Sequence, residues 1–327
     1  MRSVVAGTKN VLESVNKTRS VRKVVVTASY AAMVADPDEA SGPVGEDSHA
    51  TSCGPKKLVY FYAKKFAEDL ANYMERTQRR WKLVTICPGF TLGPPVATRQ
   101  DSASFRFMSC LLDGSFWPCT PAVGLPFVDV DDVAAAHCIA AIKEESRGRY
   151  CVVARSMYPD DVVRILRDHG YGKSHWLPFL KAPKWLLLCY GRVYGYDGDF
   201  VRAWYGKCPE FNNERSRMEL GLEYIDLEVS VVDMAERLVA SALVEAENRS
   251  VLFYWLWKCY SLLLCAPPDA ARCRVERFMM ALRLTKRRPA PSAEKTGTLA
   301  ERAMSEIQLS DRGSLAGPSQ PPAQERV

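Results

Sequence analysis

Metal-ligand spacing, a bilayer-length apolar run and a concentration of charge in the core region are all missing from this chain of 327 residues. Eleven cysteines and four histidines are scattered with no Cys-x-x-Cys pair and no histidine cluster, which excludes the usual zinc patterns, so no metal is expected. The odd cysteine count, without a secretory leader, fits reduced thiols and a cytoplasmic location. Asn16-Lys-Thr and Asn248-Arg-Ser match the glycosylation pattern only by chance. The longest apolar stretch, Val251–Cys265, is 15 residues with Lys258 at its middle, short of the roughly 20 that span a bilayer. The net charge of +6 gathers largely after residue 270, so nucleic acid is not expected as a partner. At 47% hydrophobic and 25% charged residues, what is left is ordinary globular protein.

What is present concentrates in three short stretches. Tyr60-Phe-Tyr-Ala-Lys64 puts a phenol and an ammonium on one helical face, one turn apart. An ammonium about 4 Å from the phenol, at an effective dielectric of about 20, favours the phenolate by roughly 4 kcal/mol. Such a pair suits proton transfer at a carbonyl or hydroxyl oxygen. Upstream, Arg22-Lys-Val-Val-Val-Thr-Ala-Ser29 is a buried-strand pattern ending in small hydroxyl residues, Thr27 and Ser29. Downstream, Trp81–Gly89 is a second apolar strand ending in Pro88-Gly89, followed by Phe90. In an open parallel sheet, ligands sit beyond the carboxyl ends of the strands, and all three stretches would arrive at that edge.

In this order the motifs resemble the extended short-chain dehydrogenase/reductases, within the NAD-dependent epimerase/dehydratase superfamily, and above all the dihydroflavonol reductase-like and 3β-hydroxysteroid dehydrogenase-like branch. Gly7-Thr-Lys-Asn-Val-Leu12 is similar to the helix before the family's serine strand, and Thr27-Ala-Ser29 to that strand. Tyr60–Glu68 resembles its Tyr-x-x-x-Lys helix and Pro88–Pro94 its Pro-Gly loop. Phe127–His137 resembles a short strand and Asp-Val-Ala helix, and Asn213–Tyr224 the segment closing the substrate domain. The resemblance covers roughly residues 4–244.

It implies an α/β fold, a doubly wound, Rossmann-like parallel sheet with a small C-terminal substrate domain. It implies that Tyr60 exchanges the proton on the substrate oxygen, that Lys64 assists Tyr60 and bonds the nicotinamide ribose, and that Ser29 orients the substrate. Thr27, Tyr60, Lys64, Pro88, Gly89 and Phe90 are then the cofactor-binding candidates. The cofactor implied is NADP, with NAD the alternative, and the substrate a small hydrophobic ketone or alcohol. A sugar-nucleotide epimerase or dehydratase uses the same three side chains and stays open. So does a non-catalytic scaffold.

The scaffold alternative stands because the family's glycine-rich phosphate loop has no counterpart. Gly42-Pro-Val-Gly45 precedes no helix pattern, and Gly191, Gly195 and Gly198 follow no strand pattern. The resemblance therefore implies a truncated nucleotide-binding domain whose strand at Val24–Ala28 lies at a sheet edge. Residues 1–248 are expected to form that domain with its substrate region, in which Trp176, Phe179 and Trp185 are expected to line the pocket. Helices are expected over Asp160–His169 and Glu228–Leu243. Residues 249–288 pair an aromatic apolar run with a basic amphipathic pattern. This suits peripheral contact with an anionic membrane surface, or packing against a partner. Residues 289–327, rich in Pro, Ser, Ala, Glu and Gln, are expected to be disordered.

Overall fold

Valine-rich alternation sets the first elements. In the computed structural model, which describes residues 2–95, 102–191, 195–241 and 244, helix α1 (Arg2–Lys17) leads into strand β1 (Lys23–Thr27). Helix α2 (Val59–Arg76) carries the Tyr-x-x-x-Lys stretch and returns the chain to strand β2 (Lys82–Pro88). After one glycine, β3 (Phe90–Leu92) continues away from it. Helix α3 (Ala103–Leu112) and strands β4 (Cys119–Pro121) and β5 (Leu125–Asp129) follow. Helix α4 (Val130–Ile142) starts directly on β5, capped by Asp129, whose carboxylate accepts the Asp131 N–H at 2.7 Å. Strands β6 (Gly148–Val152) and β7 (Arg155–Met157) then precede helix α5 (Pro159–Asp168).

Strands β1, β2 and β6 form one parallel sheet in that order, with Val25 opposite Val84 and Cys87 opposite Cys151. Successive side chains point to opposite faces, and two separate apolar clusters result. Val24 and Val26 join Leu12, Ala71, Trp81 and Leu83 beneath α1 and α2. Val25 joins Val84, Ile86, Ala136, Ala140, Tyr150 and Val152 beneath α4. β2 is thus covered on both faces, as parallel strands require. Among the described residues β1 pairs with β2 alone, so it is an edge, as expected. Asn16, exposed at the end of α1, borders this core: its side-chain oxygen accepts the Trp81 indole N–H at 2.9 Å.

A second sheet runs β3-β5-β7, parallel then antiparallel. Strand β4 pairs with β8 (Leu180–Ala182), and short helices α6 (Lys184–Tyr190), α7 (Gly198–Trp204) and α8 (Glu214–Leu220) precede the last described helix, α9 (Leu227–Ala240). α5 and α9 fall within a residue or three of the helices expected at Asp160–His169 and Glu228–Leu243. α5 opens with Pro159 in its first turn, and the Asp161 carboxylate accepts the Tyr158 N–H at 3.0 Å. The expected boundaries at 248 and 288, the membrane-surface segment and the tail lie outside the described residues. No helix among the described residues is long and apolar enough to cross a membrane.

Candidate active site

The carboxyl ends of β1 and β2 open into a cleft of about 650 Å³, a size suited to a small organic ligand. Thr27, Ser29, Tyr60, Lys64, Pro88, Gly89 and Phe90 all line it. The catalytic and cofactor-binding candidates are therefore brought to one place, from three separate stretches of chain.

Each is positioned by its element. Ser29 ends the β1 segment and is 5% exposed. Its Oγ accepts the Ala31 N–H at 3.2 Å, capping a single helical turn at Tyr30–Ala32. Tyr60 sits in the first turn of α2 and is 57% exposed, its ring edge-on to Phe61 at 6.0 Å. The helix starts from Leu58, whose backbone lies in the left-handed region at φ 52. A branched, buried residue held there costs about 1–2 kcal/mol, and in return the turn places Tyr60 at the cleft mouth. One turn on, the Lys64 ammonium donates to the Ala28 carbonyl at 3.2 Å. Burial pushes this lysine below its ordinary value.

Gly89 is required by packing. A Cβ at this position would stand 2.6 Å from the Pro126 carbonyl oxygen and 3.4 Å from Val153. The join between β2 and β3 runs this close to β5 only without a side chain, which fixes where the Pro88-Gly89 backbone meets the cleft. The Gly89 N–H donates to Val152 at 3.0 Å. Thr27 is partnered outside the cleft as well: its hydroxyl meets His137 Nε2 at 2.7 Å. The other ring nitrogen faces the Val133 carbonyl at 2.7 Å, so Nδ1 carries the proton and Nε2 accepts from Thr27.

Behind Lys64, the third member of the same helical stripe is Glu68, 2% exposed and paired with Arg149 at 2.6 Å. Arg149 also donates to the carbonyls of Glu46 and Ser48. This ion pair ties α2 to β6, on the side of the helix away from solvent.

Much of the rest of the cleft lining is aromatic, and most of it escapes sequence reasoning. Tyr30, Phe61, Phe107, Phe116, Tyr196 and Phe200 line it. Phe61 stacks on Phe200 at 6.0 Å, and Phe200 on Trp204 at 5.5 Å. The expected pocket residues Trp176, Phe179 and Trp185 are not among the lining residues. Trp176 packs edge-on to Trp117 at 5.4 Å, while Phe179 and Trp185 are each 64% exposed. Their segment leads through β8 and α6 before it reaches the cleft, so only its later part, at Tyr196 and Phe200, faces inward. The signal was present as Tyr196-x-x-x-Phe200-x-x-x-Trp204, a stripe at helical spacing.

Comparison with known proteins places the same elements in context. Residues 1–154 match the family model described as the NAD dependent epimerase/dehydratase family. A cinnamoyl-CoA reductase of Medicago truncatula is 30% identical over 236 residues, which make up 71% of this chain and 65% of that protein. A putative NADPH-dependent methylglyoxal reductase of Candida albicans is 27% identical, over 72% of this chain and 68% of that protein. The chain thus spans about two thirds of the length of these relatives. The solved structure of Gre2 from Candida albicans in complex with NADPH superposes with a TM-score of 0.57 at 25% identity, covering 74% of this chain and 71% of that one.

Proposed function

We propose that this chain, whose residues 1–154 match the model of the NAD dependent epimerase/dehydratase family, works as an NADPH-linked reductase of a carbonyl group on a small hydrophobic molecule. The observation that carries this is the convergence of Ser29, Tyr60, Lys64 and the bare Pro88-Gly89 backbone on one cleft with an aromatic wall. The NADPH-dependent reductases among its relatives support the direction.

The residues present fit the nicotinamide end of such a cofactor. Gly89 brings its backbone to the cleft lining, and Lys64 supplies a part-buried cation in the same lining. When bound, the nicotinamide supplies a hydride to the carbonyl carbon. The chain's own residues do the rest. Ser29 Oγ, at the end of β1, holds the carbonyl oxygen. Tyr60 delivers its phenolic proton to that oxygen as negative charge builds there. Lys64, held by Ala28, keeps a positive charge at the reacting end and offers a donor to the ribose. The apolar wall excludes water from the bond being reduced.

The pyrophosphate end is different. Among the described residues no glycine-rich turn opens a helix at this cleft: α2 begins from Leu58 and α3 from Ser102. Binding is therefore expected to depend on the nicotinamide half, with NADPH and reduced nicotinamide mononucleotide similar in affinity for residues 1–327. The deciding experiment follows reduced-nicotinamide consumption at millimolar cofactor with an aromatic ketone, for the chain and for Ser29→Ala and Tyr60→Phe. Turnover that both substitutions depress supports the reductase. Absence of turnover at saturating cofactor supports the non-catalytic alternative. Conversion of a nucleotide sugar instead supports an epimerase, a reading that the apolar wall disfavours.

A further inference from the structure

Aromatic, leucine and lysine side chains gather on the outside of β8 and α6. Phe179 is 64% exposed, Leu180 50%, Trp185 64% and Leu188 38%. Fourteen large apolar side chains are this exposed among the described residues, and four of them fall within these ten positions. Scattered singly, such residues need no explanation, whereas a cluster marks a contact surface. None of the four lines the cleft.

Their exposure is fixed by what lies behind them. The Phe179 and Leu180 N–H groups both donate to the Pro118 carbonyl at 3.0 Å, and β8 pairs with β4. On α6, Leu187 is buried with Ala182 and Val201. That rotation leaves Trp185 and Leu188, three apart on one helical face, outside.

The charge beside them has one sign. From His169 to Tyr196 the sequence holds no Asp or Glu, while Lys173, Lys181 and Lys184 lie in that stretch. Lys184 opens α6 one turn before Leu188, and leans over the Tyr205 ring at 5.7 Å. Lys181 follows Leu180, its side chain 63% exposed although Asp160 of α5 approaches it at 3.4 Å. Exposed Trp and Phe flanked by Lys suit the headgroup region of an anionic bilayer, where the rings reach the acyl boundary and the ammonium groups meet the headgroups. A protein-binding surface is instead depleted in lysine.

We propose that β8 and α6 form a docking surface for an anionic lipid bilayer. Phe179, Leu180, Trp185 and Leu188 enter the headgroup boundary, and Lys181 and Lys184 face the lipid anions. α6 is seven residues long, so the contact lies on the bilayer and does not cross it. The surface is separate from the cleft and stands whatever the cleft binds.

Sedimentation of residues 1–327 with vesicles of phosphatidylcholine, alone or mixed two to one with phosphatidylserine, tests this. Binding to the mixed vesicles is expected, with about ten-fold less to the neutral ones. Trp185→Ser and Phe179→Ser should each weaken it about ten-fold, and Lys184→Gln about five-fold. Met218→Ser, on α8 and 75% exposed, should leave it unchanged. Thermal melts should move little for all four, since each side chain is exposed. Absence of binding to either vesicle would overturn the proposal, as would equal binding to both. Binding that survives the Trp185, Phe179 and Lys184 substitutions would also overturn it, because the bilayer would then be held elsewhere on the chain. Self-association in light scattering that Trp185→Ser abolishes, without vesicle binding, would overturn it in favour of a contact between copies of the chain.

Discussion

One wall of the cleft comes from three short stretches of chain, and the other from aromatic side chains scattered over more than a hundred residues. Thr27-Ala-Ser29, Tyr60–Lys64 and Pro88–Phe90 each carry their chemistry within a few residues, because backbone geometry alone delivers them. A strand end, a helical turn and a glycine join fix where they point. The aromatic wall has no such local rule. Phe61 of α2 meets Phe200 of α7, and Phe107 of α3 meets Phe116 in the loop after it, only through packing between segments distant in sequence or across a loop. A single substitution in the first wall removes a reacting group, whereas one in the second changes fit. The two walls should therefore fail differently.

The largest separation is expected at Tyr60. Tyr60→Phe keeps the ring and its contact with Phe61, and should lower kcat by about 10² to 10⁴. Cofactor affinity should stay within a few-fold in a binding titration. Loss of cofactor binding together with turnover would put Tyr60 in the packing category, with the second wall.

Glu68 sharpens the contrast from behind the helix. Glu68→Ala leaves Arg149 buried without its carboxylate, at a cost of about 3–5 kcal/mol, measurable by urea denaturation. The remaining carbonyl partners of Arg149 at Glu46 and Ser48 set the result toward the lower end. A change within error would mean that the pair does not hold α2 to β6.

At the cleft floor, Gly89→Ala drives a methyl into the Pro126 carbonyl. Overpacking of this kind costs about 1–3 kcal/mol, and the strain falls on the join from β2 to β3. Stability and turnover should drop together, since the same backbone serves both. Thr27→Val is expected to be the mildest change. It removes one hydroxyl bond to His137 at an exposed position, worth about 0.5–1.5 kcal/mol. Turnover should barely respond if Thr27 acts only through that bond.

Legibility from sequence followed the same division. The strand at Val24–Ala28 was readable because three consecutive valines leave no polar face, while its edge position followed from the resemblance, whose glycine-rich stretch has no counterpart in this sequence. The Tyr-Lys spacing was readable because the helix period is fixed. Gly89 was correctly placed at the cleft, yet its physical necessity comes from Pro126, 37 residues on, which no local pattern reveals. Trp176, Phe179 and Trp185 were expected in the pocket because the segment is aromatic as a whole. Composition cannot say which part of it turns inward, and the inward part is Tyr196–Phe200. Tyr30, adjacent to Ser29, carries no signal in the sequence, because a single residue after a strand has no periodicity.

The central claim is that Ser29, Tyr60, Lys64 and the Gly89 floor act together on one carbonyl. Transfer of deuterium from C4-deuterated reduced nicotinamide to an aromatic ketone, by residues 1–327 and by Tyr60→Phe, tests it most directly. The account predicts label at the carbinol carbon of the product for the unaltered chain, with a rate about 10² or more above that of the variant. Equal label from both proteins, or none from the unaltered chain at saturating cofactor, would contradict it.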